Sequence, residues 1–178
     1  PMSASRLEAA ITRLGPVMAQ LFGQTEAPMM ISTMAPEDHL HDDGSVARER
    51  LSSAGRPSPL VTVAIMAEDG RLLARGERGE IVVRGSLVMR GYLDDEAATA
   101  EASRFGWHHT GDIGHLDADG FLFITDRKKD LIVNDKGDNV APQKVEGMLT
   151  LQPEIAQAMI YGDRRPYMVA VVVPDAEW

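Results

Sequence analysis

Leu7, Ile11 and Leu14 recur at helical spacing behind Ser5 and Glu8, a pair that reads as a capping box, until Gly15-Pro16 stops the run. This predicts a short amphipathic helix. Val17 to Phe22 is a compact apolar run ending at the turn-prone Gly23, which predicts a strand entering a loop with Gln24, Thr25 and Glu26. In α/β proteins such strand-to-loop edges are where ligands bind. The stretch from about Met34 to Pro59 is polar and rich in Asp, His, Ser and Pro, and is expected to be a long surface loop.

From Leu60 the texture changes to short β patterns: VTVAIM, the turn Asp69-Gly70, RLLA and EIVVRG. DDEAATAEA is a helical insert, and Asp112 to Leu116, the turn Asp117 to Gly120 and FLFIT read as a hairpin. Beyond Arg127 come a hairpin around Asp135 to Asp138, a helix opening at Pro142, a strand Ile155 to Tyr161, a turn Gly162-Asp163 and a strand Tyr167 to Val173. The fold class expected is mixed α/β and β. Residues 1–59 would close an α/β core with a long loop, 60–126 form a β-rich, distorted barrel-like subdomain, and 127–178 begin a small α+β domain.

Composition narrows the chemistry. With 18 basic against 27 acidic side chains the net charge is −9, which argues against a nucleic-acid partner. Residues 1–126 carry −8 of it and residues 127–178 carry −1, so the charge shifts where the pattern does. The absence of cysteine removes disulfides, thiolate metal sites and thiol nucleophiles. At 44% hydrophobic and 25% charged the chain is ordinary for a globular domain, and no apolar run reaches the ~18 residues of a membrane helix. The opening PMSASRLEAA has no signal-peptide pattern, and the start and the end after VAVVVPDAEW read as cuts in a longer chain.

Four segments carry candidate chemistry. In Phe22-Gly23-Gln24-Thr25-Glu26 the ring can stack on a base, the glycine admits a ligand to the backbone, the hydroxyl can reach a phosphate and the carboxylate can hold Mg²⁺. A solvated strand-end turn explains the same residues. Arg78 to Asp95 places Gly79, Gly85 and Gly91 six residues apart around a β core, equally suited to turns and bulges. In WHHTGDIG, Asp112 follows a tight Thr-Gly turn and could accept hydrogen bonds from vicinal hydroxyls or cap its own turn. Thr125 to Glu146 opens with three consecutive basic residues, which also suit a solvated face. His39, His41, Asp42 and Asp43 offer metal-type donors without a convincing third ligand, and His108 and His109 are assigned a positional role.

In this order and with these gaps the segments resemble the adenylate-forming (AMP-binding) superfamily of acyl-CoA synthetases, nonribosomal adenylation domains and beetle luciferases. The resemblance covers essentially the whole chain. It implies that Phe22, Gly23, Gln24 and Thr25 line the adenylate site, with Thr25 on the phosphate and Glu26 on Mg²⁺. It places Asp112 and Arg127 on the ribose, Lys129 at a hinge and Gly137 in a loop at the coenzyme A channel. The family's phosphate loop lies upstream of FGQTE and its adenylating lysine beyond Trp178, so the isolated chain is expected to be inactive. The loop NDKGDNVAP, with Asp135 as an extra residue, resembles the long-chain fatty-acid branch.

The function implied is ligation of a fatty acid to coenzyme A through an acyl-adenylate, with ATP and Mg²⁺ as cofactors, small molecules as partners and a cytoplasmic location. Peripheral membrane contact and oligomeric state stay open at this stage. A different acid, or a non-catalytic module pairing through exposed strand edges, is the alternative.

Overall fold

A computed structural model describes residues 3–128, 132–133 and 139–175. The chain forms two compact units, Pro1–Ile124 and Thr125–Trp178. The fold is mixed α/β with several antiparallel sheets.

In the first unit, helix α1 (Ala4–Leu14) buries Leu7 and Ile11 and ends at Gly15, whose φ of 81° breaks the helical path. Its cap is Ser3 rather than the expected Ser5: the Ser3 side chain accepts from the Arg6 amide. Glu8 is drawn elsewhere, since one of its oxygens takes both Nε and Nη2 of Arg48 at 2.7 Å. Strands β1 (Gln20–Gln24) and β2 (Ala27–Met34) make an antiparallel hairpin, and β3 (Arg56–Pro57) pairs with β2. The pattern along the chain missed β2, because Pro28 and the paired Met29-Met30 interrupt any alternation.

The expected long surface loop is a packed segment. It contains single helical turns at Pro36–His39 and Arg48–Arg50, and it buries His39, Ala47, Leu51, Ser53 and Ser58. Leu51 joins Leu7 and Ile11 in one cluster, with Met18, Leu40 and Val46 against it. These apolar residues are too widely spaced to show a period, yet they cover the inner face of α1.

Strands β4 (Val61–Met66), β5 (Gly79–Gly85), β6 (His108–Leu116) and β7 (Leu122–Arg127) form an open antiparallel sheet in that order. Glu80, Ile81, Val82 and Val83 are all buried, as expected of an internal strand covered on both faces. Ile65, Ile81 and Leu122 cluster on one side, and Met66, Val82 and Trp107 form another group. The expected RLLA strand is reduced to a bridge between Met66 and Leu72. Helix α2 (Glu96–Ala102) is capped by Asp95, whose Oδ1 accepts from Ala98 N at 2.8 Å.

In the second unit, β8 (Ile132–Val133) pairs with β9 (Asn139–Val140). Helix α3 (Pro142–Leu149) starts with proline, which has no amide hydrogen to leave unpaired. Strands β10 (Ile155–Tyr161) and β11 (Val169–Pro174) form an antiparallel hairpin. Glu146 of α3 accepts from the Ile160 amide at 2.8 Å, tying the helix to β10. Lys129 and Gly137 lie outside the described residues. No helix among the described residues is long and apolar enough to cross a membrane.

Candidate functional site

The FGQTE segment is the tip of the β1–β2 hairpin. Gln24 faces Ala27, so Thr25 and Glu26 form a two-residue turn. Phe22 faces Ser32, which leaves four residues of β2, Pro28 to Ile31, opposite Gly23 alone. A Cβ on Gly23 would sit 2.5 Å from the Met29 amide nitrogen, so this bulge requires glycine. Phe22 is partly buried against two groups, Ala27-Ile31-Val83 and Ile65-Ile81-Leu122. Its ring therefore anchors the tip to the sheet. Gly23, Gln24 and Thr25 line an open depression with Leu21, Pro28 and Met29.

Three of the sequence segments meet at this tip. Tyr92, just past Gly91, donates its hydroxyl to Glu26 Oε1 at 2.8 Å, and the Met89 amide donates to the Glu26 carbonyl at 2.8 Å. Gln24 Nε2 hydrogen-bonds His108 Nε2. The His108 ring also bonds the Ala102 carbonyl, so its hydrogen lies on the other nitrogen and Nε2 accepts from the Gln24 amide. His108 is 5% exposed, and burial pushes its pKa below the usual imidazole value, with Glu26 opposing. The Glu26 carboxyl lies below the ordinary range chiefly because Tyr92 donates to it, helped by its own amide and by His108 against a smaller burial effect.

Asp112 comes off a bulge in β6. Val82 faces His109 and Glu80 faces Ile113, so Thr110, Gly111 and Asp112 together oppose Ile81. Thr110 Oγ1 donates to the Ile81 carbonyl at 2.7 Å and accepts from the Asp112 amide at 3.1 Å, bridging the bulge. Gly111 has a φ of 74° with open space beside it, so conformation rather than room selects glycine here. Asp112 is 6% exposed.

For Mg²⁺ the donors present suit a shared site. No group of three His, Cys, Asp or Glu converges among the described residues, as a protein-only cage would need. An ionised carboxylate with lone pairs beyond the two bonds it accepts fits an ion that takes most of its oxygens from phosphate and water. His39 is fully buried, with Nδ1 on the Pro36 carbonyl at 3.1 Å. Sequence reasoning missed Tyr92 and Glu80; an apolar-flanked tyrosine and a strand carboxylate carry no spacing signal by themselves.

The family described as AMP-binding enzyme matches residues 1–93, and the AMP-binding enzyme C-terminal domain matches residues 129–178. The chain is 40% identical over 173 residues to the medium/long-chain-fatty-acid–CoA ligase FadD8 of Mycobacterium tuberculosis, covering 97% of this chain and 27% of that protein. Among solved structures it is similar to the amide bond synthetase McbA of Marinactinospora thermotolerans, with a TM-score of 0.82 at 38% identity over 98% of this chain and 35% of that one. It is also similar to the O-succinylbenzoate coenzyme A synthetase MenE of Bacillus subtilis in complex with ATP and a magnesium ion, with a TM-score of 0.80 at 34% identity over 98% of this chain and 34% of that one. The chain thus spans about a quarter to a third of the length of these relatives.

Proposed function

The chain belongs to the AMP-binding enzyme family, and on that premise we propose that it is part of an ATP-dependent ligase joining a carboxylic acid to coenzyme A. The observation that carries this reading is the convergence of Gln24, Glu26, Tyr92 and His108 from three separate segments at one hairpin tip. In the first half-reaction a carboxylate oxygen attacks the α-phosphorus of ATP, the bond to pyrophosphate breaks and an acyl-adenylate forms. The thiol sulfur then attacks the acyl carbonyl, losing its proton, and AMP leaves.

Catalysis of this kind is mainly positioning and charge stabilisation. Thr25, exposed at the turn, is assigned to a phosphate oxygen, and the partly exposed ring of Phe22 to the adenine, beside Gly23 and Gln24. Glu26 is assigned to Mg²⁺, which when bound offsets phosphate charge. Asp112 is assigned to the ribose hydroxyls, and Arg127 to the same sugar on its TDRKKD motif alone. Lys129 as hinge and Gly137 at the coenzyme A channel are proposals of the same kind. So are the division into residues 1–59, 60–126 and 127–178 and a cytoplasmic location. A fatty acid is the favoured substrate, supported by the similarity to a fatty-acid ligase. Another acid is the second reading, supported by the similarity to an O-succinylbenzoate synthetase.

The test is pyrophosphate release by the full-length protein with Mg·ATP and a panel of fatty and aromatic acids. Release with fatty acids supports the favoured substrate, release with aromatic acids alone supports the second, and release with none overturns the ligase. Asp112→Ala should weaken ATP binding by about 1–3 kcal/mol, the value of a hydrogen bond to a charged group. Unchanged ATP affinity in a folded variant would remove the ribose assignment.

A further inference from the structure

The bulge that presents Asp112 interrupts the β5–β6 register and turns on a glycine, the residue with the freest backbone. Something must hold it. Glu80, on the neighbouring strand β5, lies across it: Oε1 accepts from the Gly111 amide at 3.3 Å and Oε2 hydrogen-bonds His109 Nδ1 at 3.0 Å. His109 Nε2 in turn donates to the Arg104 carbonyl at 3.1 Å, just before β6 begins. The Glu80 and His109 side chains are 9% and 7% exposed, so water competes little for these bonds.

Both nitrogens of His109 are engaged: Nε2 donates to a backbone carbonyl and Nδ1 shares a hydrogen with the Glu80 carboxyl. Glu80 thus holds the His109 ring on one oxygen and the bulge glycine on the other. A single residue from β5 thereby holds the Gly111 amide on one side of Thr110 and the His109 ring on the other, with Thr110 itself bonded to the Ile81 carbonyl. We infer that Glu80 and His109 are positioning residues that set the place of Asp112 by clamping the Thr110–Asp112 bulge. This rests on the reading of Asp112 as the ribose residue. Neither clamp residue needs to touch the nucleotide, and displacement of a binding carboxylate by about 1 Å is enough to lose directed hydrogen bonds.

The experiment compares the dissociation constants of Mg·ATP and Mg·2′-deoxy-ATP in the full-length protein by calorimetry, without acid or thiol. A carboxylate on the ribose should favour ATP by roughly ten-fold, and Asp112→Ala should bring the ratio to within about three-fold of one. Glu80→Ala should lower the ratio as Asp112→Ala does, although Asp112 is intact. Glu80→Gln should keep most of the preference, because its amide oxygen can hold Gly111 and its NH₂ can donate to a ring with one hydrogen. If Asp112→Ala lowers the ratio and Glu80→Ala merely lowers the melting temperature at wild-type ratio, the clamp is overturned and the ribose reading stands. If Asp112→Ala leaves the ratio unchanged, the ribose reading fails and the clamp falls with it. Should Glu80→Ala not fold, His109→Ala decides: a reduced ratio supports the clamp, and the wild-type ratio overturns it.

Discussion

Tyr92 donates its hydroxyl hydrogen to Glu26 Oε1 at 2.8 Å, although 66 residues separate them. The bond pulls the two groups in opposite directions: the tyrosine pKa rises and the carboxyl pKa falls. A carboxyl with a lowered folded pKa contributes stability above its unfolded value of about 4.3, and that stability is lost as pH falls through the lower folded value. Tyr92→Phe should raise the Glu26 pKa and flatten the acid limb of the stability curve. The loss at neutral pH should be at most about 1 kcal/mol, because water competes at this exposed tip. Carboxyl NMR titration reads the shift directly, and an unmoved Glu26 would show that the tyrosine does not control it.

His108 makes the opposite kind of demand, since its buried ring is favoured without charge. With the folded pKa below the unfolded value of about 6.5, stability is full above that value and falls as pH drops toward the folded pKa. His108→Gln removes the titrating group while keeping an amide near Gln24. The melting temperature of the variant should therefore change less than that of the wild type between about pH 7 and pH 5. Parallel curves would remove His108 as the source of this acid sensitivity.

The two motif glycines should fail differently. Gly23→Ala pushes a Cβ to 2.5 Å from the Met29 backbone, whereas Gly111→Ala meets only an unfavourable φ of 74° in open space. Overpacking against backbone costs about 1–3 kcal/mol, and a lone left-handed alanine roughly 1 kcal/mol. Urea midpoints should rank Gly23→Ala as the more damaging, and the reverse order would mean that β2 shifts freely at its bulge.

Much of this arrangement could be read from the chain. The strand EIVVRG, the helical insert within DDEAATAEA and the hairpin β10–β11 follow from local patterns, and the structure has each of them. The adenylate-forming resemblance, carried by FGQTE, RGEIVVRGSLVMRGYLDD, WHHTGDIG and the TDRKKD segment in that order, agrees with the family found. What local pattern could not reveal depends on distant partners. β2 is a strand because its bulge opposes Gly23, and the 35–59 segment is packed because α1 offers Leu7 and Ile11 to cover. Ser5 lost its cap to Ser3, and Glu8 went to an arginine 40 residues away. Tyr92 and Glu80 belong to the site only through partners 66 and 31 residues along the chain.

Those separations bear on the order of events when the chain folds. The β4–β5 ladder joins near neighbours such as Met66 and Glu80, while the hairpin tip is tied by contacts spanning 66 and 84 residues. Closing large loops costs more entropy, so the tip should be fastened late, onto a sheet already nucleated. In pulse-labelled hydrogen exchange the Met89 amide, which is held by the Glu26 carbonyl, should gain protection after the amides paired between β4 and β5. A nascent chain would then carry a formed scaffold and an unfastened hairpin tip for a kinetic interval. During that interval Gln24, Glu26, Tyr92 and His108 would not yet be gathered, so any molecule held by that tip would stabilise only the final step of assembly.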